Sequence, residues 1–147
     1  MKISIITVTF NSEKTLRYTI ESVLNQNYDD IEYLIIDGGS TDSTLDIIKC
    51  YEPKFEGKLH YISEPDKGIY DAMNKGILMA TGNVVGFLNS DDLFIDKKVA
   101  EDIVSAFDTN TDAIYANLYF VQSTDVNSVK ELAEYYSVAN VFVNPTW

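Results

Sequence analysis

The segment Gly86-Phe87-Leu88-Asn89-Ser90-Asp91-Asp92 places two adjacent carboxylates directly after an apolar run that begins at Val84. A buried strand would deliver both acids to its C-terminal end, the edge at which open α/β sheets bind ligands. Paired carboxylates there suit a hard divalent cation, and such a cation commonly holds phosphates. Leu34-Ile35-Ile36 runs in the same way into Asp37-Gly38-Gly39-Ser40. One of those two glycines is expected to make a turn, and close approach of a ligand accounts for the second. Two strand ends furnished with acids and glycines point to one nucleotide site.

Those strand ends need a sheet to hold them. Ile3 to Phe10 is a β-branched run, apolar on both faces, as expected of a central parallel strand. Asn11-Ser12 offers an N-cap, after which Leu16, Ile20, Val23 and Leu24 form one helix face. Ile31 to Ile36 is the next strand. Ser40 or Thr41 is expected to cap a second helix, with Asp42 in its first turn and Leu45 and Ile48 in the core. Leu59 to Ile62 reads as a short strand and Ser63 to Gly68 as a loop. Ile69, Ala72, Met73, Gly76, Ile77 and Ala80 define a third helix, with Gly82 expected at C′. Gly76 costs about 1 kcal/mol against alanine inside a helix, for which close packing and ligand approach are equal explanations. Val84 to Leu88 is a strand, Val99, Ile103 and Phe107 mark a fourth helix, and Ala113 to Val121 is strand-like. Val129 to Tyr136 reads as either a helix or part of a β-ribbon. Strands alternating with helices predict an α/β three-layer sandwich around a mostly parallel sheet.

Bulk properties narrow the partners. The chain has 147 residues and a net charge of −12, which argues against nucleic acid and against a polybasic membrane patch. A bound phosphate would need a metal to offset the local acids. The single cysteine, Cys50, excludes an internal disulfide and fits a reducing compartment. His60 has no Cys or His partner in sequence and reads as structural. Receiver-type phospho-acceptor chemistry is a further way to use clustered aspartates, but the Asp91-Asp92 pair lies too far along the chain for it.

Four stretches, IITVTFNSEKTL, YLIIDGGSTDST, SEPDKGIYDAMNKGILMATG and VVGFLNSDD, resemble in order the donor-binding part of an inverting family 2 glycosyltransferase with the GT-A fold. The likeness covers residues 1 to about 120. It implies a metal-dependent transfer of a sugar from a nucleoside-diphosphate sugar, a UDP-sugar by preference, to a hydroxyl of a saccharide or lipid-linked acceptor. Thr9 would lie against the base and Asp37 would accept a hydrogen bond from it. Asn11, Gly38, Asp66 and Lys75 would complete the nucleotide side. Asn89, Asp91 and Asp92 fall on the family's aspartate-rich motif, with an amide at Asn89 where an acid is usual. The metal, Mn²⁺ or Mg²⁺, is assigned to Asp91 or Asp92, leaning to Asp92. On a straight strand Asn89 and Asp91 would share a face and Asp92 would take the other, unless the chain turns.

The resemblance also implies a division. Residues 1–122 would be the donor-binding core and 123–147 the start of an acceptor-side region. The general base that inversion requires is expected beyond Trp147, since Asp125, Glu131 and Glu134 sit in no matching motif. The chain would then be one truncated domain, either half of an enzyme or a non-catalytic nucleotide-sugar-binding module. A homo-oligomer is possible through the uncovered acceptor face. The implied setting is the cytoplasm, or the inner face of the membrane for a longer protein.

Overall fold

The computed structural model describes residues 1–108, 110–116 and 140–143. Strand β1 (Ile3–Thr9) leads to helix α1 (Leu16–Leu24), β2 (Ile31–Asp37), α2 (Thr44–Tyr51), a 3₁₀ turn (Glu52–Phe55) and β3 (Leu59–Ser63). Helix α3 (Ile69–Met79), β4 (Val84–Phe87), α4 (Val99–Ala106), β5 (Ala113–Ala116) and β6 (Asn140–Val143) follow. The sheet order is β3-β2-β1-β4-β6-β5. The first four strands are parallel, whereas β6 runs antiparallel to both β4 and β5. The mostly parallel sandwich read from the sequence is therefore present. Strand β6 is an addition, and it separates β4 from β5.

Side-chain alternation along the strands builds two apolar layers. Ile3, Ile5, Tyr33 and Ile35 face Leu16, Ile20, Ile48 and Ile103 of α1, α2 and α4. Ile6, Val8, Leu34 and Ile36 face Ala72 of α3 on the other side. Every residue of β1 is buried, as a strand covered on both faces must be. Leu45 and Ile48 of α2 join the first layer as expected. Only Ala72 and Gly76 of α3 are buried, whereas Ile69 and Ile77 of the expected core face are about half exposed. The helix lies so close to the sheet that a methyl on Gly76 would stand 2.5 Å from Ile6 Cγ2. That contact accounts for the glycine through packing alone.

Three expected helix signals are displaced, each for a local reason. Helix α1 begins at Leu16, because the Ser12 hydroxyl is diverted to Phe10 O and Ser90 Oγ. Helix α2 begins at Thr44, because the Ser40 hydroxyl is bound to Asp37. Asp42 precedes that helix and accepts from Thr44 N at 3.0 Å, and the acid in the first turn is Asp46. Gly82 is not a C′ residue of α3, which ends at Met79 with Ala80 as its cap. The strand-like run expected to reach Val121 is described only as Ala113–Ala116. Asp125, the 129–136 segment with Glu131 and Glu134, and Trp147 lie outside the described residues.

Glu32 is the acid of an otherwise apolar strand interior, 8% exposed at its side chain. It accepts from Lys2 Nζ at 2.8 Å, from Ser4 Oγ, and from Thr81 N and Oγ1 at 2.8 and 2.6 Å. Burial pushes its carboxyl up, but these donors outweigh burial and bring it from 4.5 down to about 2. A carboxyl lowered in the folded state stabilises the fold above its unfolded value and loses that contribution as pH falls through the folded one. About 3 kcal/mol should therefore disappear between pH 4.5 and 2. Denaturant melts of the wild type and Glu32→Gln should diverge at pH 6 and converge toward pH 2. A constant difference between them would reject this account.

Candidate functional site

The order β3-β2-β1-β4 reverses direction at β1, whose neighbours are β2 and β4. A crevice opens where the loops after β1 and β4 diverge, at the C-terminal ends of the strands. A cleft of about 440 Å³ lies there. It is lined by Val8, Thr9, Phe10, Ser12, Asp66, Gly68, Ile69, Ala72, Asn89, Ser90 and Asp91.

Each wall has a local cause. Thr9 pairs with Asp37 at the last rung between β1 and β2, and Gly38 N donates to Thr9 O at 2.9 Å. Gly38 then leaves room for Asp66, whose Oδ2 would be 2.6 Å from a methyl at that position. Asp66 is fixed in turn by Gly68 N, which donates to its Oδ1 at 2.8 Å. Gly68 has φ +110° and opens α3 from that loop, a conformation that favours glycine. On the far wall, β4 ends at Phe87 and the chain turns, with Asp92 N donating to Asn89 O at 3.0 Å. Ser12 Oγ and Ser90 Oγ, 3.0 Å apart, join the two walls.

The turn changes how the acids are presented. Asn89 and Asp92 do not take opposite faces, because Asn89 Nδ2 donates to Asp92 Oδ2 at 3.0 Å. Asp91 is exposed and lines the cleft, while Asp92 is half-buried behind it. Burial pushes the Asp92 carboxyl up, the Asn89 amide opposes this, and the Asp91 charge adds to the upward push. A half-buried carboxylate beside a like charge calls for a counter-charge.

Two acceptor atoms of the cleft residues, Thr9 Oγ1 and Asn89 Oδ1, are buried without a hydrogen-bond partner among the described residues. Unpaired buried polar atoms are costly, and an arriving ligand is one way to satisfy them. No group of three or more His, Cys, Asp and Glu side chains placed to hold a metal occurs among the described residues. Asp91, Asp92 and Asn89 nevertheless offer the hard oxygen donors that Mg²⁺ or Mn²⁺ prefers, with phosphate and water left to complete the shell. The residues present fit such a cation.

The remaining sequence candidates serve as supports. Asp37 is fully buried, and its carboxylate accepts from Ser40 N, Ser40 Oγ and Ser63 Oγ. It stands behind the cleft wall and braces the Gly38-Gly39-Ser40 turn. Asn11 ties two loops together, its Oδ1 accepting from Thr41 N at 2.9 Å. Lys75 is engaged by Glu64 at 2.8 Å and Pro65 O at 3.3 Å and steadies the Asp66 loop. Phe10, Ser12, Ser90, Gly68 and Ile69 line the cleft without having been singled out as site residues. For Phe10 a signal existed, since an aromatic residue closing a strand just before a polar loop has little core left to enter.

A sheet that switches at β1 and gathers acids and glycines there defines a GT-A type domain. Solved structures agree. S. aureus TarS residues 1–349 in complex with UDP-GlcNAc matches with a TM-score of 0.75 at 28% identity, covering 84% of this chain and 36% of that one. A mannosyltransferase from Pyrobaculum calidifontis, in complex with GDP-Man and Mn²⁺, shares the fold with a TM-score of 0.74 at 20% identity, covering 97% of this chain and 44% of that one. The family model described as Glycosyl transferase family 2 matches residues 4–144, and the chain belongs to that family. An uncharacterised glycosyltransferase of Mycobacterium tuberculosis is 42% identical over 105 residues, 71% of this chain and 39% of that protein. A PGL/p-HBAD biosynthesis glycosyltransferase of Mycobacterium bovis is 42% identical over 89 residues, 60% of this chain and 35% of that protein. The chain thus spans little more than a third of the length of these relatives. Family membership sets the receiver reading aside.

Proposed function

We propose that this chain forms the donor-binding part of a glycosyltransferase that moves a sugar from a nucleoside-diphosphate sugar to an acceptor hydroxyl with inversion. The observation that carries this reading is one cleft joining Thr9, Asp66, Asn89 and Asp91 at the C-terminal ends of β1 and β4. The Thr9, Gly38 and Asp66 wall would take the nucleoside. The Asn89–Asp92 turn would face the diphosphate, with Asp91 and Asp92 holding Mn²⁺ or Mg²⁺. Bound there, the cation would offset charge developing on the leaving nucleoside diphosphate. The protein's own part is to keep the acids in place, with Asn89 Nδ2 holding the Asp92 carboxylate. TarS was solved with UDP-GlcNAc, which favours a UDP-sugar as donor here. The general base is assigned to the longer protein, on its acceptor side, and the acceptor to a saccharide or lipid-linked hydroxyl.

Thermal melts test the reading directly. UDP and Mn²⁺ together, each at about 100 times its dissociation constant, should stabilise the chain by about 2.7 kcal/mol or more. For a domain of this size that is a rise in Tm of roughly 5–10 °C. UDP alone should give much less. Equal shifts with and without Mn²⁺ would remove the cation from the proposal, and no shift under either condition would remove the nucleotide.

A further inference from the structure

We propose that Thr7 and Tyr33 are positioning residues for the Asn89–Asp92 turn, acting through the Leu88 carbonyl. The functional half of this inference rests on the reading of that turn as the cation and diphosphate end of the cleft.

Thr7, Tyr33 and Leu88 are all fully buried. Thr7 Oγ1 donates to Leu88 O at 2.7 Å. Its one hydrogen is then spent, so across the 3.0 Å contact with Tyr33 OH the phenol is the donor and Thr7 the acceptor. Burial drives the ionisation of Tyr33 far up, which keeps it a neutral donor at any ordinary pH. The relay therefore has one direction, from the β2 phenol to the β1 hydroxyl to the carbonyl that ends β4.

Packing alone does not ask for these oxygens. Thr7 and Tyr33 sit on the sheet face that carries Ile5, Ile35 and Val84, where valine and phenylalanine would fill the same space. The Tyr33 ring packs on Phe55 with centroids 5.4 Å apart, a contact that needs no hydroxyl. What needs the oxygens is Leu88. The β1–β4 ladder ends at the Ile6–Phe87 pair, and Leu88 N still donates to Ile6 O at 2.9 Å. The Leu88 carbonyl beyond it belongs to no strand, and the Thr7 hydroxyl receives it. A peptide unit is planar, so fixing the Leu88 carbonyl also fixes the N–H and Cα of Asn89. Asn89 is the residue whose oxygen closes the turn onto Asp92 N and whose amide holds the Asp92 carboxylate. Two hydroxyls inside the sheet thus set the direction in which the acids leave it.

The test uses the full chain as Thr7→Val, Thr7→Ser and Tyr33→Phe. In Thr7→Val the amide hydrogen of Asp92 should exchange about tenfold faster than in wild type, while amides in the middle of β2 keep their rates. Thr7→Ser, which restores the donor, should return Asp92 to near the wild-type rate. Tyr33→Phe removes only the far end of the relay and should show a smaller rise, about threefold. UDP titrations with and without Mn²⁺ supply the second readout. Thr7→Val should raise the Mn²⁺ concentration at half effect about tenfold and leave metal-free UDP binding as in wild type. Unchanged Asp92 exchange in Thr7→Val, or no recovery in Thr7→Ser, overturns the inference. If Thr7→Val does not fold, Tyr33→Phe decides, and wild-type exchange at Asp92 in that protein overturns the inference equally. Should wild type itself show no Mn²⁺ dependence, the reading of the turn as a cation site fails. The exchange arm then still decides whether the hydroxyl pair sets the turn.

Discussion

Asp92→Asn is expected to fold normally and to lose the cation-dependent part of nucleotide binding. In the full-length protein, loss of charge stabilisation at the leaving diphosphate should lower the transfer rate by roughly 10²–10³-fold. Stability should move the other way. The Asp92 carboxyl is pushed up by burial and by Asp91, so its charged form is the less favoured one in the folded state. A carboxyl raised on folding weakens the fold above its folded value, and the penalty is relieved as pH falls through it. Asparagine carries no such penalty and can still accept from Asn89 Nδ2 through its own oxygen. The expected signature is an unchanged or slightly higher Tm without ligand, together with loss of the additional shift that Mn²⁺ gives to UDP. Asp91→Asn should lose less, because Asp91 is exposed and lacks the Asn89 contact that fixes Asp92. A lowered Tm in Asp92→Asn, or a wild-type response to Mn²⁺ in both variants, would contradict this assignment.

Gly82→Ala should produce the largest loss of stability of any single methyl added to this fold. A methyl at Gly82 would stand 2.7 Å from Ser4 N in β1 and 2.9 Å from Lys2 O just before it, both backbone atoms. Side chains can rotate away from such a contact, but a strand paired on both edges cannot. The clash also reaches Ser4 Oγ, which accepts from Gly82 N at 2.9 Å and donates to Glu32. Overpacking of this kind costs about 1–3 kcal/mol, and the broken polar ring around Glu32 adds to it. Urea unfolding should place the midpoint well below that of wild type, with the slope unchanged. Gly57→Ala serves as the control, since nothing lies within 4 Å of a methyl there. Its positive φ of +86° still carries a strain of about 1 kcal/mol. A Gly82→Ala loss no larger than the Gly57→Ala loss would refute the close-approach argument.

What could be read from residues alone follows from what periodicity encodes. The apolar runs Ile3–Phe10 and Ile31–Ile36 pointed to two central strands, and the spacing of Leu16, Ile20 and Val23 to the buried face of α1. Burial on one or both faces is a local property of a sequence, so these elements were legible. Of the three segments that line the cleft, 89–91 was legible because a strand end there concentrates acids and 66–68 because an acid and a glycine meet in one loop. Helix starts were less so. Ser12 and Ser40 have the chemistry of caps, but each spends its hydroxyl on a partner brought near by the fold: Ser90 for one and Asp37 for the other. The partners of Asp37 were hidden for the same reason. A carboxylate at a strand end looks available until Ser40 and Ser63 are seen to occupy it. The polar ring around Glu32 was not legible, because its donors Lys2 and Thr81 come from remote parts of the chain. Nothing near Asn140–Val143 announces a strand, and its place between β4 and β5 depends on long-range pairing.

That placement bears on how the chain is made. Strand β4 is paired with β1 on one side from the moment its residues emerge, but its other side waits for residues some 50 positions later. At ribosomal speeds of about 5–20 residues per second, that is an interval of roughly 3–10 s. Throughout it, the nascent protein carries a hydrogen-bonding rim along β4, and such rims recruit neighbouring polypeptides. A pause in translation before codon 140 would therefore be expected to raise aggregation, whereas one after codon 143 would be harmless to this sheet.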